Sequence, residues 1–352
     1  MPIQTVSQAF SNEGAGGFSF RNKIINGAME IDQRARTVTF DTAATYMVDR
    51  WCQNDGGSAV LTGVQSTIAP SGFTNSLLVT TTSGVSPSAS NLVDIFQPIE
   101  GYNVADLDYG TSTAKTTTVS FWVRSSLTGT FCVAYGNAAF NRSYVTTYTI
   151  NAANTWEYKT VTIPGDTSGT WLKTNGQGLN LYFDMGSGSN YNTTANAWAA
   201  GFFTRVSGAT SLSATTGATF YITGVQLEQG SVATPFERRP YGTELQLCQR
   251  YYTVKNGYTL SIGSRYTTSL VYLSYQLPVQ MRAIPTVVNS TNWNVLNTTA
   301  SETSSTSTLN TVLSYIGGNV DIVINTSFNP AAYIYVVQSG SASANISFSA
   351  EL

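Results

Sequence analysis

The sequence predicts an all-β protein made of two antiparallel β-sandwich domains. Three observations support this fold class. Apolar and polar residues alternate at a period of two, Gly, Asn, Ser and Asp interrupt the alternation at short intervals, and no long amphipathic helical period occurs. The length of 352 residues exceeds the roughly 250 residues at which a single core stops growing. A second domain is therefore expected.

The N-terminal residues 1–20 do not follow the alternation. They are polar and contain Gly14, Gly16 and Gly17 without a clear period. We expect an extended arm that anchors the protein to a larger assembly.

Residues 21–237 are predicted to form the first sandwich, and residues 118–124 and 179–185 show the alternation most clearly. Successive side chains of a strand point to opposite faces of its sheet, so each run has an aliphatic face and a polar or aromatic face. The polar or aromatic faces carry the side chains considered below as a binding site: Trp122, Arg124, Asn180, Tyr182 and Asp184. Further strands are expected at residues 129–136, 145–150, 158–163, 201–206 and 219–227.

The last of these runs changes phase. Phe220 and Ile222 fall out of phase with Val225 and Leu227, and Gly224 lies at the shift. Because an extra residue in one strand shifts the alternation by one, the pattern predicts a β-bulge at Gly224.

Residues 238–257 are interpreted as a charged linker with a short helix. Two prolines, Pro235 and Pro240, precede residues with helical spacing, and Thr243 is the predicted N-cap. From residue 258 to residue 352 the alternation returns with few charges, which predicts the C-terminal β-sandwich. Its clearest strands are expected at residues 270–277, 320–325, 332–337 and 345–350.

Charge and residue usage exclude several classes of function. Charged residues are 10% of the chain and the formal net charge is -2, so no basic surface for nucleic acid is expected. There is no histidine, which removes the commonest general base and most catalytic zinc sites. Cys52, Cys132 and Cys248 are far apart and are expected to be buried free thiols. No apolar run reaches the roughly 20 residues that span a bilayer, so a membrane is not an expected partner. Nucleic acid is not an expected partner either, because of the low and slightly negative charge.

Carbohydrate recognition is the binding chemistry that the composition favours. It needs flat aromatic rings beside short polar groups on a rigid sheet. Aromatic residues are 12% of the chain, with 20 Tyr and 6 Trp. The candidate ligand-binding residues are Trp122 and Arg124 on one strand and Asn180, Tyr182 and Asp184 on another, forming one platform if the two strands share a sheet. The alternative is that aromatic residues fill the cores. Four further tryptophans lie next to turn signals and are not assigned to the site, since packing as plugs at the sandwich ends is an equal alternative for them: Trp51, Trp156, Trp171 and Trp198.

Acidic residues give no metal or catalytic motif. The acidic residues are locally concentrated in one segment, at Asp94, Glu100, Asp106 and Asp108. Their spacing fits no calcium-binding loop. Asp184 and Glu228 cannot be paired from the sequence as glycosidase carboxylates. No metal site, cofactor or catalytic residue is therefore predicted, and degradation of a polysaccharide is left as the weakest alternative.

Several motifs are similar to a jelly-roll domain that recurs in bacteriophage tail-fibre and related virion proteins. They are KIINGAMEIDQR (23–34), TYMVDRW (45–51), IFQPIEG (95–101), VSFWVRSSLTGTF (119–131) and ITGVQLEQGSVATPFERRPYGTELQLCQRYY (222–252). A shorter motif, QLPVQMRAIPTVV (276–288), resembles the C-terminal β domain appended in those proteins. Within the motifs, five charged residues are interpreted as members of buried or inter-strand ion pairs: Glu30, Asp32, Asp49, Arg50 and Glu228.

The resemblance implies a non-enzymatic virion protein, a tail fibre or head fibre with a carbohydrate-binding type of jelly roll. It implies a virion-surface location after synthesis in the host cytoplasm, a homotrimer, contact with other virion proteins through the N-terminal arm, and binding to host-surface glycans. The alternative is a purely architectural capsid decoration or tail building block that binds no glycan.

Overall fold

The protein is all-β, as predicted. The computed structural model describes residues 20–57, 59–256, 259–265, 270–289, 293–297, 303–307, 309–316, 318–325, 334–339 and 345–352. Of the predicted N-terminal arm, only Phe20 lies within these residues. Among the described helices, none is long and apolar enough to cross a membrane.

The described part of the first sandwich contains thirteen strands. They are β1 (Val38–Thr39), β2 (Thr45–Tyr46), β3 (Cys52–Asp55), β4 (Val60–Ser66), β5 (Ser76–Ser83), β6 (Val93–Glu100), β7 (Thr117–Ser125), β8 (Gly129–Gly136), β9 (Arg142–Ile150), β10 (Glu157–Ile163), β11 (Gln177–Asp184), β12 (Trp198–Ala200) and β13 (Thr219–Gln229). A short helix, α1 (Gly101–Val104), follows β6, and 3-10 turns lie at Ala105–Leu107, Ser189–Tyr191 and Leu212–Ala214.

These strands form two antiparallel sheets. The first sheet has the order β1-β4-β5-β13-β7-β10, and the second has the order β12-β9-β8-β11-β6-β3-β2. The chain crosses repeatedly between them, because β5, β7, β10 and β13 belong to the first sheet and β6, β8 and β11 to the second. This crossing between two facing sheets is the jelly-roll arrangement.

Apolar side chains from the two inner faces form the core. Phe121 of β7 and Phe183 of β11 meet across the sandwich with ring centroids 5.1 Å apart, and Trp51 lies 6.2 Å from Phe183. All three are fully buried. Burial of each such ring contributes roughly 2–3 kcal/mol relative to an exposed ring, so these contacts hold the two sheets together.

The C-terminal domain contains ten strands among the described residues. They are β14 (Tyr252–Asn256), β15 (Thr259–Arg265), β16 (Leu270–Gln276), β17 (Thr286–Asn289), β18 (Trp293–Asn297), β19 (Thr303–Ser307), β20 (Leu309–Ile316), β21 (Asn319–Asn325), β22 (Ile334–Ser339) and β23 (Asn345–Ser349). A three-stranded sheet, β14-β23-β17, accompanies a seven-stranded sheet, β19-β18-β22-β15-β16-β21-β20. The two sheets face each other where Tyr275 stacks on Phe348 at a centroid distance of 5.3 Å.

The predicted strand at residues 201–206 is wrong. β12 ends at Ala200, because Gly201 adopts φ +139° and turns the chain. The residues that follow fold over the second sheet instead of extending it, and Phe202 and Arg205 contact that sheet.

The helix in the predicted linker is present as α2 (Tyr241–Gln249), but its predicted cap is wrong. Pro240 occupies the N-cap position and Thr243 lies in the first turn, where its backbone N–H donates to the Pro240 carbonyl at 2.9 Å. The missing N–H of proline suits a helix start, where that donor has no helical partner. Cys248 of α2 packs with Ile31 of the first domain, so the helix is docked on the sandwich. All three cysteines are buried free thiols, as predicted.

A cluster of buried charges joins the two domains, and we call it the junction cluster: Arg34, Asp49, Arg50 and Glu351. Glu351 accepts a hydrogen bond from Arg34 at 2.9 Å and forms an ion pair with Arg50. Arg34 also lies 3.2 Å from Asp49. These contacts confirm that Asp49 and Arg50 each belong to a buried ion pair, Asp49 with Arg34 and Arg50 with Glu351. Glu228 is also paired, with Arg21 at 3.3 Å. The prediction is wrong for Glu30 and Asp32, which are partly exposed and form no salt bridge among the described residues.

A second ion pair strengthens the same junction. Both carboxylate oxygens of Glu100, at the end of β6, accept hydrogen bonds from Arg250, at 2.6 and 2.9 Å, and one of them also accepts the Tyr251 hydroxyl at 2.6 Å. Burial alone would raise the pKa of Glu100, but the hydrogen bonds from Arg250 and Tyr251 outweigh it and hold the pKa below its ordinary value.

We expect the substitution Glu100→Gln to lower the free energy of unfolding at neutral pH by about 2–4 kcal/mol, since it breaks this ion pair while Arg250 keeps part of its hydration. The depressed folded-state pKa means that the stabilisation is present above the ordinary value of 4.5 and is lost as the pH falls through the folded-state pKa.

Urea unfolding at a series of pH values measures this effect. The native protein should lose more stability on acidification than Glu100→Gln does, whereas Glu30→Gln, which removes no salt bridge among the described residues, should match the native protein. Equal acid sensitivity of the native protein and Glu100→Gln would contradict the prediction.

Candidate functional site

The predicted residues Trp122 and Arg124 project from the outer face of the first sheet. Both lie on β7 and are partly exposed, while the alternate residues Phe121 and Val123 are fully buried in the core. The alternation of β7 therefore orients these two side chains as the sequence indicated.

The other predicted residues, Asn180, Tyr182 and Asp184, lie on β11 in the second sheet. The single platform required β7 and β11 to share a sheet, and they do not. All three side chains are buried. Residues that follow β12 cover them: Phe202 contacts the Tyr182 ring edge-on at 5.4 Å, and an Arg205 nitrogen lies 3.5 Å from the Asp184 carboxylate.

Electrostatics agree with a closed outer face on the second sheet. Burial raises the pKa of Asp184, against the opposing charge of Arg205 and hydrogen bonds from Ser187. Burial also raises the pKa of Asp94, the cross-strand partner of Asp184, well above its ordinary value. The raised pKa values show that Asp94 and Asp184 are removed from water, as groups in the protein interior are. A ligand in solution therefore has no direct access to these carboxylates.

Six aromatic side chains form a band on the outer face of the first sheet, which we call the aromatic stripe. They come from β7, from β10 and the turn before it, from β13, and from the loops before β5 and after β13. The members are Trp122, Trp156, Tyr158, Tyr221, Phe73 and Phe236.

Strand register brings one half of the stripe together. Tyr158 of β10 lies directly opposite Trp122 of β7, with ring centroids 5.4 Å apart. Tyr221 of β13 lies opposite Arg124, and its ring centroid is 6.1 Å from that of Trp156. Side chains at directly opposed positions on one sheet face are close neighbours, so pairing of β13, β7 and β10 is sufficient to align these rings.

The predicted bulge at Gly224 brings in the other half. The register of β13 against β7 shifts between Thr223 and Gln226, and Gly224 adopts φ +62°. A Cβ atom at Gly224 would lie 2.6 Å from Cζ of Phe73 and 3.2 Å from Cδ1 of Trp122. The bulge is thus confirmed, and the missing side chain lets both rings close over the backbone.

Two arginines lie on rings of the stripe. The Arg124 guanidinium is 4.8 Å from the Tyr221 ring centroid, and the Arg238 guanidinium is 4.6 Å from that of Phe73. Phe73 also packs edge-on against Phe236 at 5.2 Å. Cation–π contacts of this kind hold the guanidinium groups at the surface of the stripe.

The stripe is open to solvent. Tyr158 is 45% exposed, Tyr221 is buried beneath Arg124, and the other four rings are partly exposed. Thr160 and Thr162 are exposed residues on the same face of β10 as Tyr158, and the Thr162 hydroxyl donates to the Ser231 carbonyl at 3.3 Å. Flat rings fixed on a sheet next to short hydroxyls suit a ligand that has apolar faces and polar edges.

The acidic residues at positions 94, 100, 106 and 108 do not converge. Glu100 and Asp94 lie in the contacts described above, while Asp106 pairs with Lys23 at 2.7 Å and Asp108 with Lys173 at 3.5 Å. Within the part of the chain that the structure describes, no group of three or more His, Cys, Asp or Glu residues could hold a metal ion.

Comparison with known proteins gives structural matches only. No protein-family model and no curated protein matches the chain. Solved structures that match include the enzymatically active domain of bacteriophage CBA120 tailspike protein 4, at 12% identity over 60% of this chain and 22% of that chain, with a TM-score of 0.33. The C-terminal family 22 carbohydrate-binding module of Clostridium thermocellum Xyn10B matches at 16% identity over 56% and 98%, with a TM-score of 0.28. The xylan-binding domain of Paenibacillus barcinonensis Xyn10C matches at 11% identity over 56% and 95%, with a TM-score of 0.27.

Most of the stripe could not be selected from the sequence. Alternation in residues 158–163 places Tyr158 on the strand face opposite to that of Val161 and Ile163. It does not show that this strand pairs with β7. Phe73 and Phe236 lie in loops and carry no periodic pattern. The sequence leaves Trp156 unassigned, with a plug at the sandwich end as one alternative, and the structure shows it in contact with Tyr221 on the outer face.

We expect Gly224→Ala to lower the free energy of unfolding by about 2–4 kcal/mol, because an alanine at positive φ is strained and its methyl group overlaps Phe73. Gly217→Ala is the matched control, since Gly217 has φ +80° and open space around it, and should cost only about 1 kcal/mol.

Urea unfolding with near-UV circular dichroism checks this prediction. The tryptophan signal should change in Gly224→Ala and stay unchanged in Gly217→Ala, and adding Phe73→Ala to Gly224→Ala should recover part of the lost stability. The predicted overlap would be disproved by equal losses in the two glycine variants.

Proposed function

We propose that the protein is a non-enzymatic structural protein of a bacteriophage virion, displayed on the virion surface, whose aromatic stripe binds host-surface glycans. The observation that carries the glycan part is the aromatic stripe itself, which has five partly or largely exposed rings on the outer face of the first sheet. Two of these rings lie on strands and three on the adjoining turn and loops, and Thr160 and Thr162 lie on the same face. A sugar ring offers apolar C–H faces to such rings and hydroxyl edges to the neighbouring polar groups.

Rigidity supports this proposal. Trp122 and Tyr158 are fixed by the pairing of β7 with β10, and Phe73 is wedged over Gly224. Because the rings are already ordered, a ligand does not have to immobilise them, and less binding energy is lost to side-chain ordering. The outer face of the second sheet is not an alternative binding surface for a glycan, since residues after β12 cover it.

The virion assignment rests on the motifs that resemble phage fibre domains. In the structure the motif at residues 23–34 pairs with β13, through hydrogen bonds from Lys23 N–H to the Leu227 carbonyl at 2.8 Å and from Val225 N–H to the Gly27 carbonyl at 2.9 Å. These residues therefore build the sandwich, and their resemblance concerns architecture. The homotrimer, the anchoring arm at residues 1–20 and the virion-surface location belong to the same proposal, and the absence of histidine supports a non-enzymatic role.

Binding of the purified protein to host cells and to their isolated surface polysaccharides tests the glycan part. We expect Trp122→Ala and Tyr158→Ala each to weaken binding by about 5- to 30-fold, since each removes one stacking ring worth about 1–2 kcal/mol. Tyr102→Ala is the matched control, because Tyr102 is an exposed tyrosine on α1, outside the stripe, and its loss should leave the affinity unchanged.

Two outcomes would overturn glycan binding by the stripe. One is undiminished binding by folded Trp122→Ala and Tyr158→Ala proteins. The other is an absence of binding to any susceptible host, together with loss of virion incorporation on deletion of residues 1–20, which would indicate a purely architectural protein.

A further inference from the structure

We infer that the glycan bound by the aromatic stripe is anionic: a polysaccharide whose carboxylate groups pair with Arg124 and Arg238. This inference rests on the proposed function and adds the chemical class of the ligand. It is carried by the position and pairing of these two arginines: both lie on rings of the stripe, and neither has a carboxylate partner among the described residues.

Most cations of this chain are neutralised within it. The sequence has 17 Lys and Arg residues. Ten of them form salt bridges with carboxylates in the described part of the chain: Arg21, Lys23, Arg34, Arg50, Arg142, Lys159, Lys173, Arg205, Arg239 and Arg250. Few charges and extensive pairing leave little unbalanced charge on the surface.

The two arginines of the stripe depart from this pattern. Arg124 donates from Nε to the Asn154 carbonyl at 2.9 Å, and Arg238 donates to the Gly72 carbonyl. Neither has a carboxylate partner among the residues that the structure describes. A backbone carbonyl fixes the direction of a guanidinium group but does not cancel its charge, so both cations remain available to an anion.

Carboxylates close to the stripe are already occupied. Glu228, on the outer side of β13, is 1% exposed and is paired with Arg21 at 3.3 Å. Glu157, between Trp156 and Tyr158, lies 2.6 Å from Lys159. Glu237, next to Phe236, lies 3.4 Å from Arg239. Because these carboxylates are paired locally, Arg124 and Arg238 are the charged groups over the rings that remain available to a carboxylate of the ligand.

The arginines lie at separate places along the stripe. Arg124 covers Tyr221, whereas Arg238 covers Phe73, which lies over Gly224. Tyr221 and Gly224 are separated by about 10 Å along β13 at the usual rise of an extended strand. A polymer with repeated carboxylates can therefore meet both arginines while its sugar rings stack on the aromatic residues between them. Bidentate pairing of guanidinium with carboxylate suits arginine in particular.

The test uses three acidic polymers, polygalacturonate, alginate and hyaluronan, each beside a form whose carboxylates have been reduced to alcohols. The full chain should bind at least one acidic polymer more tightly than its reduced form, and added salt should weaken that binding. Arg124→Gln and Arg238→Gln should each reduce the affinity for the acidic polymer by about fivefold and leave the affinity for the reduced form unchanged.

Arg36→Gln is the matched control. Arg36 is also exposed and donates to a backbone carbonyl, that of Tyr46, but lies outside the stripe, so its loss should not alter binding. Equal binding of acidic and reduced polymers, abolished by Trp122→Ala but insensitive to both stripe arginines, would overturn the anionic ligand and keep the proposed function. No binding to any of the six polymers would count against both.

Discussion

The phase change of β13 at Gly224 is the constraint on which the site depends. β13 lies between β5 and β7 at the centre of the first sheet, and its apolar residues must face the core along its whole length. Without the bulge, either Phe220 and Ile222 or Val225 and Leu227 would point to solvent. With it, both pairs are fully buried. The same residue supplies the positive φ and the open space that Phe73 and Trp122 occupy. Core packing and surface recognition are therefore coupled at one backbone position.

Scarcity of charge shapes the rest of the molecule. With 10% charged residues, this chain places several of its ion pairs in the interior, where an unpaired charge would be expensive. The junction cluster and the Glu100–Arg250 pair both lie where the C-terminal segments meet the first sandwich. Because such pairs require defined geometry, they specify how the domains dock more than they add to stability. They also account for the presence of Asp49 and Arg50 in a conspicuous motif, since both side chains are buried and paired.

Two-residue alternation predicted the fold class, six of the thirteen strands of the first sandwich, four of the ten described strands of the C-terminal domain, and the bulge, because those features depend on local sequence. It also oriented Trp122 and Arg124 correctly. It could not show that β7 and β11 lie in different sheets, since strand order is set by long-range packing. It failed at residues 201–206 for a similar reason: alternation marks residues with one buried side, and Phe202 gains that burial by covering a sheet. Tyr158, Phe73 and Phe236 join Trp122 only through pairings and loop positions that depend on the complete fold.

The outer faces of the first and second sheets differ in whether the chain covers their aromatic residues, and this difference bears on the role of the stripe. Both faces carry aromatic residues, and the chain covers those of the second sheet with the segment after β12. Covering the stripe in the same way would bury further apolar surface, at a gain of roughly 25 cal/mol for each Å² removed from water. The stripe is left open instead, and two of its rings hold arginines that the chain does not neutralise. Stability alone favours the closed arrangement, so the open and positively charged one is the arrangement expected of a surface kept for a ligand.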